Sequence, residues 1–144
     1  MGREEFVGTW KPVSLESRQS DGQILYPFGR DVVGVISYDA RGNMSAQLMR
    51  SDRPAFAICD FQGGTPEEIK TAIEGFLAYF GTYEIDEEKA TVTHHVRGGS
   101  FPNWVGSDHI GFFEFSRNRL TLRTRSIQVD RVAVTSLMIW ERMA

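Results

Sequence analysis

Short runs that alternate apolar and polar residues, each closed by a tight turn signal, recur along most of this chain. A sequence built that way folds mainly as paired strands. The clearest case is Val32 to Tyr38 and Asn43 to Met49, which flank Asp39-Ala40-Arg41-Gly42. Two apolar runs around a short turn containing Gly make a hairpin. On the second arm Met44, Ala46 and Leu48 share one face, and Ser45 and Gln47 share the other. A sheet with one wet face requires that alternation.

The same reading extends in both directions. Phe6 to Arg18 is a strand candidate with Val13 and Leu15 on one face, followed by the turn signal Ser20-Asp21-Gly22-Gln23. Leu25-Tyr26-Pro27-Phe28-Gly29 reads as an ordered loop, because Pro27 interrupts a ladder. Gly81 to Asp86 and Ala90 to Arg97 pair around Glu87-Glu88-Lys89, and His109 to Ser116 and Leu120 to Thr124 pair around Arg117-Asn118-Arg119. Gly98 to Gly106 is a loop holding Phe101-Pro102-Asn103-Trp104, and Val132 to Arg142 is the last strand.

One helix interrupts the strands. Thr65 supplies a cap, Pro66 the first helical position, and Glu68 a carboxylate placed to bond back to the cap. Glu67 and Glu68 also suit the positive end of the helix dipole. Ile69, Ile73, Phe76, Leu77 and Phe80 recur at spacings of 4, 3, 1 and 3, an apolar stripe that predicts a helix over 66–80, ended by Gly81 and lying on or across the sheet. Eight strands and one helix result. Such a pattern suggests a sandwich or a barrel, and an up-and-down barrel has no open edge to manage.

Composition bounds the function. At 144 residues the chain reads as one domain, and 41% hydrophobic with 24% charged residues is an ordinary globular mix. Lys plus Arg is 16 and Asp plus Glu is 19, a net charge of −3, which argues against nucleic-acid binding. Cys59 is the single cysteine, so no internal disulfide and no multi-cysteine zinc site is expected. No apolar run approaches the ~18 residues of a membrane span. The charged start Met1-Gly2-Arg3-Glu4-Glu5 lacks an apolar signal core, and the expectation is a soluble, cytoplasmic protein. The sequence leaves a homodimer open.

The motifs together resemble the lipocalin-like domain proteins of bacteria and fungi. They run from Gly8-Thr9-Trp10 through Tyr26-Pro27-Phe28-Gly29, Gly34, Tyr38, Gly42-Asn43-Met44, Gln47-Leu48-Met49-Arg50 and Arg53-Pro54 to Gly64-Thr65-Pro66-Glu67-Glu68. They continue with Ala78-Tyr79-Phe80-Gly81-Thr82-Tyr83, Thr93-His94-His95-Val96, Pro102-Asn103-Trp104-Val105-Gly106, Leu120-Thr121-Leu122 and Trp140-Glu141-Arg142. The resemblance implies an all-β, eight-stranded, antiparallel up-and-down barrel with a hollow interior. It also implies that Trp10 and Arg142 form a structural pair at the closed end, the guanidinium stacked on the indole. It implies no single activity, although some relatives accompany secondary-metabolite pathways. Secreted lipocalins carry a signal peptide and usually disulfides, and this chain shows neither.

A barrel of eight strands holds either its own side chains or one small ligand. Met44, Leu48, Phe112 and Met138 either line a cavity or fill the core. His94 shares a strand face with Val92 and Val96, so it points inward, whereas His95 shares the other with Thr91, Thr93 and Arg97 and faces solvent. An inward His94 is a general acid or base, a ligand anchor, a haem ligand, or a histidine satisfied by a buried hydroxyl or water. Adjacent histidines on one strand cannot chelate one zinc, and His109 is the only other histidine, so neither a metal nor a cofactor is expected. Tyr38 and Tyr83 either orient a ligand carbonyl or pack a barrel end. Trp104 is a lid or a plug. Glu16 and Arg18 share parity with Trp10 and face inward unless a bulge intervenes. Cys59 has no motif around it that marks a nucleophile, and Gly63-Gly64 lacks the lysine and spacing of a phosphate loop.

The leading expectation is binding of a small, mainly hydrophobic molecule, with His94 and Tyr38 as anchors and Met44, Leu48, Phe112, Met138 and Trp104 around it. One alternative is a cyclase or isomerase acting on a polyketide-like intermediate, with His94 catalytic. A second is haem binding through one histidine. A third is a solid barrel that acts through its surface.

Overall fold

The computed structural model describes residues 2–125, 127–129 and 132–143. After a single helical turn α1 (Arg3–Phe6) come β1 (Gly8–Gln19), β2 (Ile24–Leu25), β3 (Val33–Tyr38), β4 (Asn43–Met49), helix α2 (Pro66–Glu74), β5 (Phe76–Asp86) and β6 (Thr91–Gly99). A 3-10 turn (Pro102–Trp104), β7 (Asp108–Ser116), β8 (Arg119–Thr124), β9 (Ile127–Val129) and β10 (Val132–Arg142) complete it. Antiparallel neighbours follow the order β1-β3-β4-β5-β6-β7-β8-β10, and β10 pairs back onto β1 from Trp10↔Arg142 to Gln19↔Val134. Eight strands therefore close the barrel, as the alternation and the resemblance led us to expect. The short β2 and β9 pair onto β1 and β10.

Two features of the ladder set which side chains face in. In β1 the register slips between Pro12 and Ser14. A bulge adds a residue and reverses parity beyond it. Val13 is consequently exposed while Leu15 is buried, so the two do not share a face. Past the bulge Glu16 and Arg18 lie outside the barrel, where they form a 3.0 Å ion pair. The second slip lies between Phe80 and Gly81 on β5 against β6. A Cβ on Gly81 would sit 1.9 Å from the His95 carbonyl oxygen, so only glycine permits this approach.

The helix is shorter than the apolar stripe predicts. Thr65 caps α2 with a complete capping box, but the helix ends at Glu74 with Gly75 as its C-cap. Phe76, Leu77 and Phe80 belong to β5, whose residues Phe76 to Thr82 pair with Met49 to Asn43 of β4. Leu77, Tyr79, Gly81 and Tyr83 are the inward set, an alternation overlaid on the helical spacing. The ladder to β4 satisfies that backbone and closes the barrel, which a longer helix would leave open. α2 buries none of its residues, and Ile69 and Ile73 remain about half exposed. Rather than lying on the sheet, the helix borders a shallow apolar depression with Phe56, Phe61 and Phe76.

Phe6 is not the first strand residue but the end of α1, fully buried as a plug. The hairpin turns after β3, β5 and β7 gather at this plugged end. The longer connections, including α2 and the 3-10 turn, gather at the other. Among the described residues no helix is long and apolar enough to cross a membrane.

Candidate functional site

The barrel interior divides into a solid half and a hollow half. In the plugged half Phe6 makes edge contacts with Tyr38, Phe113 and Phe115 at ring centroid distances of 5.2, 4.9 and 5.0 Å. Tyr38 and Tyr83 meet at 4.8 Å, and the Tyr83 hydroxyl donates to the Asp39 carbonyl at 2.6 Å. The Arg142 guanidinium carbon lies 4.2 Å from the centre of the Trp10 ring. Arg142 also donates to the carbonyls of Val7 and Glu5 at 2.8 and 2.6 Å, and Trp10 Nε1 donates to that of Phe6 at 3.0 Å. These are the carbonyls that a helix end leaves without partners. Stacking and hydrogen bonding thus fix α1 in the barrel's base.

The other half holds a cavity of about 570 Å³, walled by Leu15, Phe28, Leu48, Leu77 and Met138 and by the polar residues Tyr79, His109, Thr124 and Ser136. A recess of about 100 Å³ adjoins it, between Val92, His94, Gly111 and Leu122. Tyr79, Trp104, His109 and Met138 line both spaces. Gly111 is one cause of the recess. It occupies an inward position on β7, yet a Cβ there would meet nothing nearer than 3.8 Å. Asp108 and Arg125 lie at the mouth, both exposed.

His94 sits between the two halves. Its Nε2 lies 2.7 Å from the Tyr38 hydroxyl and its Nδ1 3.3 Å from the Tyr79 hydroxyl. Burial, with smaller contributions from His109 and His95, lowers its pKa to about 3, so it is neutral at physiological pH. The same burial pushes the hydroxyls of Tyr38 and Tyr79 up. Of the readings the sequence left open for His94, the histidine satisfied by buried hydroxyls matches this geometry.

Directly across the ladder from His94 stands His109. Its Nε2 lies 2.9 Å from the Ser107 hydroxyl, which itself donates to the Trp104 carbonyl at 2.5 Å. The Trp104 ring packs on His109 at 4.2 Å and against the edge of Tyr79 at 5.4 Å. Burial also lowers the pKa of His109.

Residues 7–143 match the profile of a family described as a lipocalin-like domain. The chain belongs to that family. The lipocalin-like chain is also similar to the 4'-hydroxy-3'-methoxypropiophenone carrier protein ppsC of Aspergillus oryzae. The two are 29% identical over 107 residues, a stretch that covers 69% of this chain and 96% of that protein.

Within this lipocalin-like barrel the residues singled out from sequence fall into three groups. Leu48, Met138, Trp104 and His94 line the cavity or its recess. Tyr38 and Met44 are inward and buried but belong to the packed core, and neither borders the hollow. Phe112 is a correction. It is paired between inward Gly111 and Phe113, so it points outward and is 39% exposed. Placing it inside ignored the strand parity that correctly turned His95 outward. His95 bonds Asp108 and Glu84 there at 2.7 and 3.2 Å, and those two carboxylates raise its pKa. Cys59 is exposed. Sequence reasoning passed over Tyr79, because it fell within the overlong helix, and His109, because it was weighed only as a metal ligand. The odd-numbered alternation Leu77, Tyr79, Gly81, Tyr83 would have found the first.

Proposed function

We propose that this protein binds a small, mainly hydrophobic molecule in the open half of its barrel and acts as a carrier. The observation that carries this reading is the apolar cavity of about 570 Å³ above a solid aromatic base. Its size falls within the roughly 300–1,000 Å³ of small-molecule sites, and a mostly apolar wall with few polar groups is their usual make-up. The relative's name supports the same class, since an aryl ketone with a hydroxyl and a methoxy group is small, aromatic and mostly apolar. The competing readings as a cyclase or a haem protein both lean on His94. Both of its ring nitrogens are already engaged by tyrosine hydroxyls. Metal ligation or proton transfer there would first have to break one of those bonds, so no observation favours either.

The test is a thermal-shift series with alkyl phenyl ketones and apolar molecules of similar size. A ligand at 100 times its Kd should add about 2.7 kcal/mol, which moves the midpoint by several degrees in a domain of this length. Tryptophan fluorescence should change saturably over the same concentrations, because Trp104 lines the cavity whereas Trp10 and Trp140 are packed in the core. If no molecule in the series moves either signal, the carrier reading fails.

A further inference from the structure

Counting donors and acceptors assigns the protons around the cavity. Neutral His94 offers one N–H and one lone pair, and two tyrosine hydroxyls meet it. Suppose Nε2 carried the proton. Tyr38 would then accept, and its own hydroxyl hydrogen would have no acceptor among the rings of Phe6 and Tyr83. An orphaned buried donor is costly. The lengths agree with the opposite assignment, since 2.7 Å suits an O–H donor and 3.3 Å a weaker N–H donor. Tyr38 Oη–H therefore donates to Nε2, and Nδ1–H donates to Tyr79 Oη. Among the described residues the hydroxyl hydrogen of Tyr79 is left without an acceptor, on a residue that lines both the cavity and its recess.

His109 can be assigned without a choice. Ser107 has one hydroxyl hydrogen and gives it to the Trp104 carbonyl. His109 Nε2 must then be the donor to Ser107, which leaves Nδ1 as a lone pair with no hydrogen bond among the described residues. His109 also lines both spaces. Two residues of the cavity wall, both in contact with the Trp104 ring, thus carry a spare donor (Tyr79) and a spare acceptor (His109) among the described residues. The carboxylate and guanidinium residues of the lining, Asp108 and Arg125, stand exposed at the mouth, so a charge carried further in would lack a partner among the described residues.

We propose that Tyr79 Oη–H and His109 Nδ1 are the recognition pair of the cavity, and that the ligand is an uncharged aromatic molecule with both a carbonyl and a hydroxyl. Tyr79 donates to the carbonyl oxygen, and the ligand hydroxyl donates to His109. His94 and Tyr38 are positioning residues that fix the donor direction of Tyr79. The inference rests on the reading of the cavity as a ligand site.

The experiment is calorimetric titration of the unmodified protein with four probes. They are 4'-hydroxypropiophenone, propiophenone without the hydroxyl, 4-propylphenol without the carbonyl, and 4-propylbenzoate with a charge. The hydroxyketone should bind about tenfold tighter than either deletion, a difference of about 1.4 kcal/mol, and the carboxylate should bind weakest. Tyr79→Phe should lower hydroxyketone affinity to that of 4-propylphenol and leave 4-propylphenol unchanged. His109→Phe should lower it to that of propiophenone. Should either variant fail to fold, the probe series on the unmodified protein still decides. Equal affinity for the three neutral probes, or tightest binding of the carboxylate, overturns the recognition pair and leaves the cavity reading standing. Binding of none of the four removes both.

Discussion

His94 shows how one residue ties the packed core to the hollow. Its neutral ring links Tyr38, in the base, to Tyr79, in the wall, across 56 and 15 residues of sequence. That arrangement has a pH signature with a definite sign. The folded pKa of about 3 lies below the ordinary histidine value of 6.5, so unfolding takes up a proton at this site between about pH 3 and 6.5. Stability from the neutral ring is complete above that value and is lost as pH falls from about 6.5 towards 3, by up to roughly 1.4 kcal/mol per pH unit. His109, also lowered by burial, adds in the same direction. His95 acts oppositely, because Asp108 and Glu84 raise its pKa, but it is about one-third exposed and its effect is screened. Urea midpoints of the unmodified protein and of His94→Gln, compared between pH 7 and pH 4, should therefore converge. The variant starts lower at pH 7 and falls less. Parallel profiles would remove the buried neutral histidine as the source. The inward direction of His94 was legible in sequence from Val92 and Val96 beside it. Its partners were not, because nothing local marks a bond that closes over 56 residues.

At the scale of elements the same contrast recurs. Strands were legible because alternation is local, and the hairpin at Asp39-Ala40-Arg41-Gly42 was legible because turn residues are local too. The bulge at Val13 was not, because it reverses parity without a glycine to announce it. The helix was half legible. Its start rests on the capping box, with the Thr65 hydroxyl accepting from Glu68 N–H at 3.2 Å and the Glu68 carboxylate accepting from Thr65 N–H at 2.9 Å. Its end was misplaced because aromatic residues at helical spacing also alternate along β5, and pairing with β4 decided between the two. Glu68 does more than cap, since its second oxygen accepts from Ala57 N–H at 2.8 Å and ties the preceding loop to α2. Losing a cap costs about 1 kcal/mol, yet α2 buries no residue. Thr65→Ala should therefore speed amide exchange within 66–74 and leave the global unfolding midpoint nearly unchanged. A drop in the midpoint as large as the local loss would mean that α2 is coupled to the barrel more tightly than its burial indicates.

Over the whole molecule, the packed base and the proposed binding cavity occupy different ends of one barrel. Trp10, Arg142, α1 and the rings of Phe6, Tyr83 and Phe115 make a base that contributes no residue to the cavity lining. The hollow persists because glycine at 111 sends nothing inward and because His94 is held by tyrosines instead of collapsing into the space. Filling the recess should separate the two properties. Leucine at position 111 has room for its Cβ, since the nearest atoms, on Leu122 and Val92, are 3.8 Å away. Added apolar burial favours the fold by about 1.5–3 kcal/mol, and overpacking opposes it by about 1–3 kcal/mol, so the two nearly cancel. Gly111→Leu should thus keep the unfolding midpoint close to that of the unmodified protein while weakening aryl-ketone binding at least tenfold. Undiminished affinity in a folded Gly111→Leu protein would mean that ligands sit nearer the mouth, among Phe28, Leu77 and Trp104, and do not reach the recess beside His94. A loss of stability matching the loss of binding would mean instead that the base and the hollow are one cooperative core, and that the barrel cannot be emptied or filled without consequence for its fold.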